Sequence, residues 1–135
     1  MRRLLGGDVE HGDRFSRHRQ HPAFWDPVLT DGGRVDHRLD EFKKRGVEVI
    51  GCSIDSQFTH LAWKNTPINN GGIGQVGYPL VADINHAICQ AYDVEAAGGV
   101  AFRGSFLIDK AGIVQHQVVN NLPLGRDIDE MLRMV

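Results

Sequence analysis

Cysteine is scarce in this chain: of 135 residues, only Cys52 and Cys89 are cysteines, far apart and without CxxC spacing. That excludes a zinc site built on paired cysteines and a dithiol redox motif, and in a reducing compartment it leaves two free thiols. Long apolar runs are lacking too, and none approaches the roughly 20 residues that span a bilayer. Neither charge sign dominates. A net charge of −2 gives no pull toward nucleic acid or an anionic membrane. Internal repeats and low-complexity tracts are missing. Met1–His21 holds five arginines, three acids and three histidines. It has no apolar centre for a signal peptide, and it is too acidic and too poor in serine for an organellar transit peptide. The expectation is of a cytoplasmic protein with no nucleic-acid or membrane partner, no cofactor and no metal.

What remains is an ordinary globular composition, 41% hydrophobic and 24% charged, with room for one domain and one core. The chain divides near Arg34. Gly6-Gly7, Gly12, Pro22, Pro27 and Gly32-Gly33 break up the first part, so 1–34 is expected to be a poorly ordered segment and 35–135 a folded domain. Val35, Leu39 and Phe42 recur at helical spacing, which predicts a helix over Asp36–Arg45 that stops at Gly46. Val47–Ile54 reads as a buried parallel strand. Ser56 caps a predicted helix to about Asn65, with Phe58, Leu61, Ala62 and the anchor Trp63 turned inward. Pro79–Ala82 is a short strand, and Asp83 or Asn85 caps a helix through Ala91. Ala101–Ile108 and Ile113–Val119 flank Asp109-Lys110-Ala111-Gly112, a hairpin signal. Ile128, Met131, Leu132 and Val135 form the stripe of a last helix starting near Arg126. The alternation predicts an α/β domain with helices packed on a mixed sheet.

Several of these segments carry a resemblance. Asp36-His37-Arg38-Leu39-Asp40-Glu41-Phe42-Lys43, Ser53-Ile54-Asp55-Ser56, His60-Leu61-Ala62-Trp63 and Tyr78-Pro79-Leu80-Val81-Ala82-Asp83 are similar to the peroxiredoxins, in particular the typical two-cysteine alkyl hydroperoxide reductase C (thiol-specific antioxidant) type. So are Thr66 to Gly74, Ala91-Tyr92-Asp93-Val94, the run Phe102 to Val114 and Leu122-Pro123-Leu124-Gly125-Arg126. The resemblance covers 36–135. It implies a thioredoxin-like fold and a thiol peroxidase that reduces hydrogen peroxide and organic hydroperoxides. In that chemistry a peroxidatic thiolate attacks the O–O bond and becomes a sulfenic acid. A resolving cysteine of a partner subunit then condenses with it, and thioredoxin or a dedicated reductase reduces the disulfide. The resemblance makes Arg103 the catalytic guanidinium that serves the thiolate. The bland reading of Arg103 is a residue that pairs a carboxylate or covers a sheet end.

The departures are specific. The family's nucleophile sits in Pro-x-x-x-Thr/Ser-x-x-Cys before the helix matching Asp36-His37-Arg38, and no proline of this chain has a cysteine seven residues on. The resolving Val-Cys-Pro segment is likewise not expected, since the sequence ends at Val135. Cys52 reads as a small buried hydrophobe in its strand, and Cys89 as a surface or packed thiol, rather than as substitute nucleophiles. Gly72-Ile73-Gly74-Gln75-Val76-Gly77 satisfies GxGxxG, but Tyr78-Pro79 and a strand follow it where a nucleotide site needs a helix. His11, His18 and His21 read as a solvated tail and not as a metal cluster.

No apolar strand comparable to the family's central one is evident before Asp36, and Pro27-Val28-Leu29-Thr30 is a poor substitute. The expected fold is therefore an N-terminally incomplete three-layer thioredoxin-like domain with its central strand missing and only marginal stability alone. The expected function is that of a truncated peroxiredoxin with little or no peroxidase activity. The alternative is a non-catalytic assembly module that pairs with an intact peroxiredoxin through strand 113–119. Expected partners are a peroxide, a thioredoxin-type reductant, and a second copy or an intact relative.

Overall fold

The computed structural model describes residues 23–26 and 32–135, with side chains from Val35 onward. Among these residues, five strands form one sheet. They are β1 (Ala23–Asp26), β2 (Glu48–Ser53), β3 (Leu80–Ala82), β4 (Arg103–Ile108) and β5 (Val114–Asn120), in the order β3-β2-β1-β4-β5. Five helices accompany it: α1 (Gly32–His37), α2 (Leu39–Lys44), α3 (Gln57–Asn65), α4 (Ala87–Ala91) and α5 (Ile128–Met134). The arrangement is the thioredoxin-like α/β fold.

The central strand is present, against the sequence expectation. Ala23–Asp26 lies parallel to β2, Ala23 opposite Glu48 and Asp26 opposite Gly51, and antiparallel to β4, Ala23 opposite Ile108 and Trp25 opposite Phe106. Aromatic residues favour strands, and Phe24-Trp25 supplies two of them. The prolines at 22 and 27 confine the run to four residues, too few for a periodic pattern to show. Short as it is, β1 closes the sheet, so the inward edges of β2 and β4 are paired over its length. The remainder of the segment before Gly32, including His11, His18, His21 and Pro27 to Thr30, lies outside the described residues.

Each side of the sheet carries its own apolar cluster because successive strand residues face opposite ways. Val49 joins Val35, Leu39, Phe42, Ile128, Met131 and Leu132 from α1, α2 and α5. Ile50 and Cys52 point to the other side, with Cys89 of α4, Val94 and Phe106. Phe42 is fully buried, and Phe106 nearly so.

The helix expected over Asp36–Arg45 begins earlier, at Gly32, and breaks at Arg38, whose φ of −109° and ψ of 5° leave the helical range. Its end is as predicted. Gly46 takes φ +72°, the Gly46 N–H reaches the Lys43 carbonyl at 2.9 Å and the Val47 N–H the Phe42 carbonyl at 3.0 Å, a Schellman closure.

The inward face of α3 differs from the expected one. Phe58 is 74% exposed and Leu61 57%, and Ala62 is exposed as well, whereas His60 is buried. The helix is turned so that His60 Nε2 meets Ser53 Oγ of β2 at 2.6 Å while Trp63 packs on the first cluster. That hydrogen bond offsets the cost of burying an imidazole, which hydropathy alone counts as polar. Ser56 caps α3 as predicted, its hydroxyl accepting from the Thr59 N–H at 3.1 Å.

The glycine-rich stretch after α3 is a loop leading into β3, so no helix is available to hold a pyrophosphate. Gly72 is dictated by crowding, since a Cβ there would lie 2.0 Å from the Thr66 carbonyl oxygen. The β4–β5 turn follows the sequence reading. The Gly112 N–H bonds the Asp109 carbonyl at 2.9 Å, and the Asp109 carboxylate accepts from the Ala111 and Ile113 N–H groups. These donors, with Gln115, hold the Asp109 carboxyl below its ordinary pKa.

Candidate active site

The parallel strands β1, β2 and β3 end, and β4 begins, at the same rim of the sheet. Arg103 opens β4 opposite Asn120 of β5, half-buried, and its Nε–H donates to the Leu122 carbonyl at 3.4 Å. Among the described residues no carboxylate pairs with it, so its charge is available to an anion or a thiolate. Asn120 holds the following turn, its Nδ2 donating to the Gly125 carbonyl at 3.0 Å. That turn delivers a second guanidinium, Arg126, which is 9% exposed. Arg126 lines a cleft of about 530 Å³ with His37, Arg38, Asp127, Ile128 and Asp129. Arg38, at the break between α1 and α2, bonds Glu41 and reaches Asp129 of α5 at 2.5 Å, tying these helices together. Arg103 thus presents a guanidinium at this rim and Arg126 a second, buried one in the cleft beside α5, and sequence reasoning found only the first. Arg126 follows a Leu-Pro-Leu-Gly turn and has no periodicity of its own; only the fold shows it buried.

The Ser53–His60 pair sits on the same side, at the end of β2. Ser53 Oγ also donates to Asp55 Oδ2 at 3.1 Å. Burial lowers the proton affinity of His60, with Asp55 opposing it. The carboxylate contacts the serine and not the imidazole, and the serine is 1% exposed, so the arrangement is a packing network and not a nucleophile triad.

Neither cysteine presents an open thiol. Cys52 is 1% exposed as the penultimate residue of β2, opposite Val81 of β3, and faces the second apolar cluster. Cys89 is 1% exposed on α4, and its thiol is pushed up to about 12 by burial first and by the neighbouring Asp83 second. Asp83 does the capping expected of it, accepting from the Ile88 N–H at 3.0 Å and the Cys89 N–H at 2.8 Å. A thiolate nucleophile needs the opposite setting, with a lowered pKa and an open approach. No cluster of histidine, cysteine and carboxylate that could hold a metal occurs among the described residues. Nor is any of their helices long and apolar enough to cross a membrane.

Comparison with known proteins fits this geometry. The model of the AhpC/TSA family matches residues 21–117 and so takes in β1. Alkyl hydroperoxide reductase C of Helicobacter pylori is 57% identical over 100 residues, 74% of this chain and 50% of that protein. Peroxiredoxin-4 of Bos taurus is 50% identical over 99 residues, 73% of this chain and 36% of its own length. The chain spans about half the length of the curated relatives it matches, or less. Among solved structures, the reduced 2-Cys peroxiredoxin of Plasmodium vivax superposes with a TM-score of 0.82 at 41% identity, over 86% of this chain and 64% of that one. Mycobacterium tuberculosis AhpC superposes with a TM-score of 0.78 at 28% identity, over 97% of this chain and 87% of that one. On sequence, fold and topology together, the chain belongs to the AhpC/TSA family of peroxiredoxins.

Proposed function

We propose that this chain derives from a thiol-dependent peroxidase acting on hydrogen peroxide and organic hydroperoxides, and that it turns over little or no peroxide itself. In the parent chemistry a thiolate attacks one peroxide oxygen. The O–O bond breaks, the sulfur is oxidised to sulfenic acid, and the other oxygen leaves as water or alcohol. A second thiol then displaces water to form a disulfide, which a thioredoxin-type dithiol reduces. Arg103 is the catalytic residue in this reading, its guanidinium stabilising the thiolate and the developing oxyanion. One observation carries the low activity: both cysteines are 1% exposed, one in β2 and one on α4, each packed in the second apolar cluster.

The test is peroxide consumption with thioredoxin and its reductase, with mass spectrometry on both cysteines. The expected rate is that of the protein-free background, with Cys52 and Cys89 unmodified. Turnover that disappears in the Cys52→Ser, Cys89→Ser double variant would overturn the proposal.

A second reading is favoured by the free edge of the sheet. β5 is terminal in the strand order, its residues alternate between exposed and half-buried, and Val119 is 42% exposed. An edge of this kind accepts another strand. We infer that the chain pairs through 113–119 with a second copy or with an intact peroxiredoxin. Co-purification with a full-length relative supports this, and strictly monomeric behaviour in mixtures counts against it.

A further inference from the structure

His86 and Glu95 form a cross-link at the same end of the sheet as Arg103. His86 follows β3 and adopts φ +60°, ψ 13°, a left-handed conformation that strains a non-glycine residue. Its ring Nδ1 lies 2.5 Å from Glu95 Oε1, both side chains being about a quarter exposed. Glu95 opens a tight loop closed by a bridge to Ala101. Inside it the Ala96 N–H bonds the Val100 carbonyl at 2.7 Å, and the Gly99 N–H bonds the Ala96 carbonyl at 3.1 Å. Gly98 and Gly99 both have positive φ, and a Cβ on Gly99 would meet the His86 ring at 3.4 Å. The loop runs through Phe102, whose N–H bonds the Val94 carbonyl at 2.8 Å, directly into Arg103.

We propose that the His86–Glu95 contact is a latch that holds the 95–101 loop shut and so fixes how the loop presents Arg103. His86 is a positioning residue. The strained backbone aims the ring, the ring packs on Gly99 and holds Glu95, and the closed loop leaves Arg103 one orientation at the mouth of β4. The two positive-φ glycines give the loop room to open once the latch is released, without disturbing the β4–β5 ladder.

Amide hydrogen exchange and the Arg103 Nε–H resonance, both read by NMR on the full chain, test this. In His86→Ala the Ala96, Gly99 and Phe102 amides should exchange roughly tenfold faster, the scale for losing one charge-assisted hydrogen bond. The amides of β4 and β5 should hold their rates, and the Arg103 Nε–H signal should shift. Leu132→Ala, destabilised in the core, should leave that signal in place. Glu95→Gln keeps an acceptor and should hold most of the protection, whereas His86→Asn should lose it and serves if His86→Ala folds poorly. His86→Asn tolerates the same backbone but lacks the ring, so wild-type exchange in that variant would overturn the latch. A uniform rise in exchange across the sheet, or an unmoved Arg103 signal in His86→Ala, would overturn it equally.

Discussion

Reactivity of the two thiols is the sharpest quantity this structure sets. An ordinary cysteine with a pKa near 8.5 is about 3% thiolate at pH 7. With its thiol pushed up to about 12, Cys89 has a thiolate fraction roughly three and a half decades smaller. A more basic thiolate is a better nucleophile, and that returns about one and a half decades. A net slowing of about 100-fold follows from protonation alone. Burial adds to it, because at 1% exposure a reagent must wait for a local opening. Cys52, near the end of β2 and equally buried, carries the same steric term. The assay is iodoacetamide alkylation at pH 7, quenched over time and read by mass spectrometry, for the native chain and for the chain in urea. Both cysteines should alkylate at least 100-fold more slowly when native, and at free-thiol rates when unfolded. One cysteine labelling in the native chain within tenfold of its unfolded rate would refute the burial argument, and with it the proposed lack of turnover.

Three other outcomes follow from the packing. Asp83→Ala strips the acceptor from the Ile88 and Cys89 N–H groups and should cost about 3 kcal/mol in urea unfolding, with loss of α4. Phe42→Ala, at a fully buried position in the cluster against α5, should cost about 3–5 kcal/mol by the same measurement. The lowered proton affinity of His60 gives an acid effect. The unfolded chain binds a proton below the ordinary value of 6.5, and the folded chain resists it. Stability should be full above pH 6.5 and decline as the pH falls from there toward the folded value, and in His60→Gln this part of the pH dependence should vanish.

Local rules carried the reading of most elements. Gly46 ends a helix because only a left-handed residue closes the Schellman pair, and Asp109 to Gly112 turns because a carboxylate and a glycine at that spacing satisfy the turn. Arg103 stood out because the residues around it carry the family likeness. The misreadings arose where distant partners decide. Four residues between prolines have too little pattern to declare a strand, and β1 exists because β2 and β4 each offer it an edge. Phe58 and Leu61 look like the inner face of α3 until Ser53, seven residues before His60, supplies the hydrogen bond that lets the imidazole in.

The sequence by itself determined the family, the order of helices and strands after β1, and the lack of a cysteine seven residues after any proline. These are matters of residue identity and short-range spacing. Tertiary structure alone decided that the sheet is complete at its centre, that Arg126 is buried, and that the Cys89 thiol is sealed in the core with that of Cys52. Those facts depend on strand order and burial, which arise only when segments far apart in the chain share one hydrophobic interior.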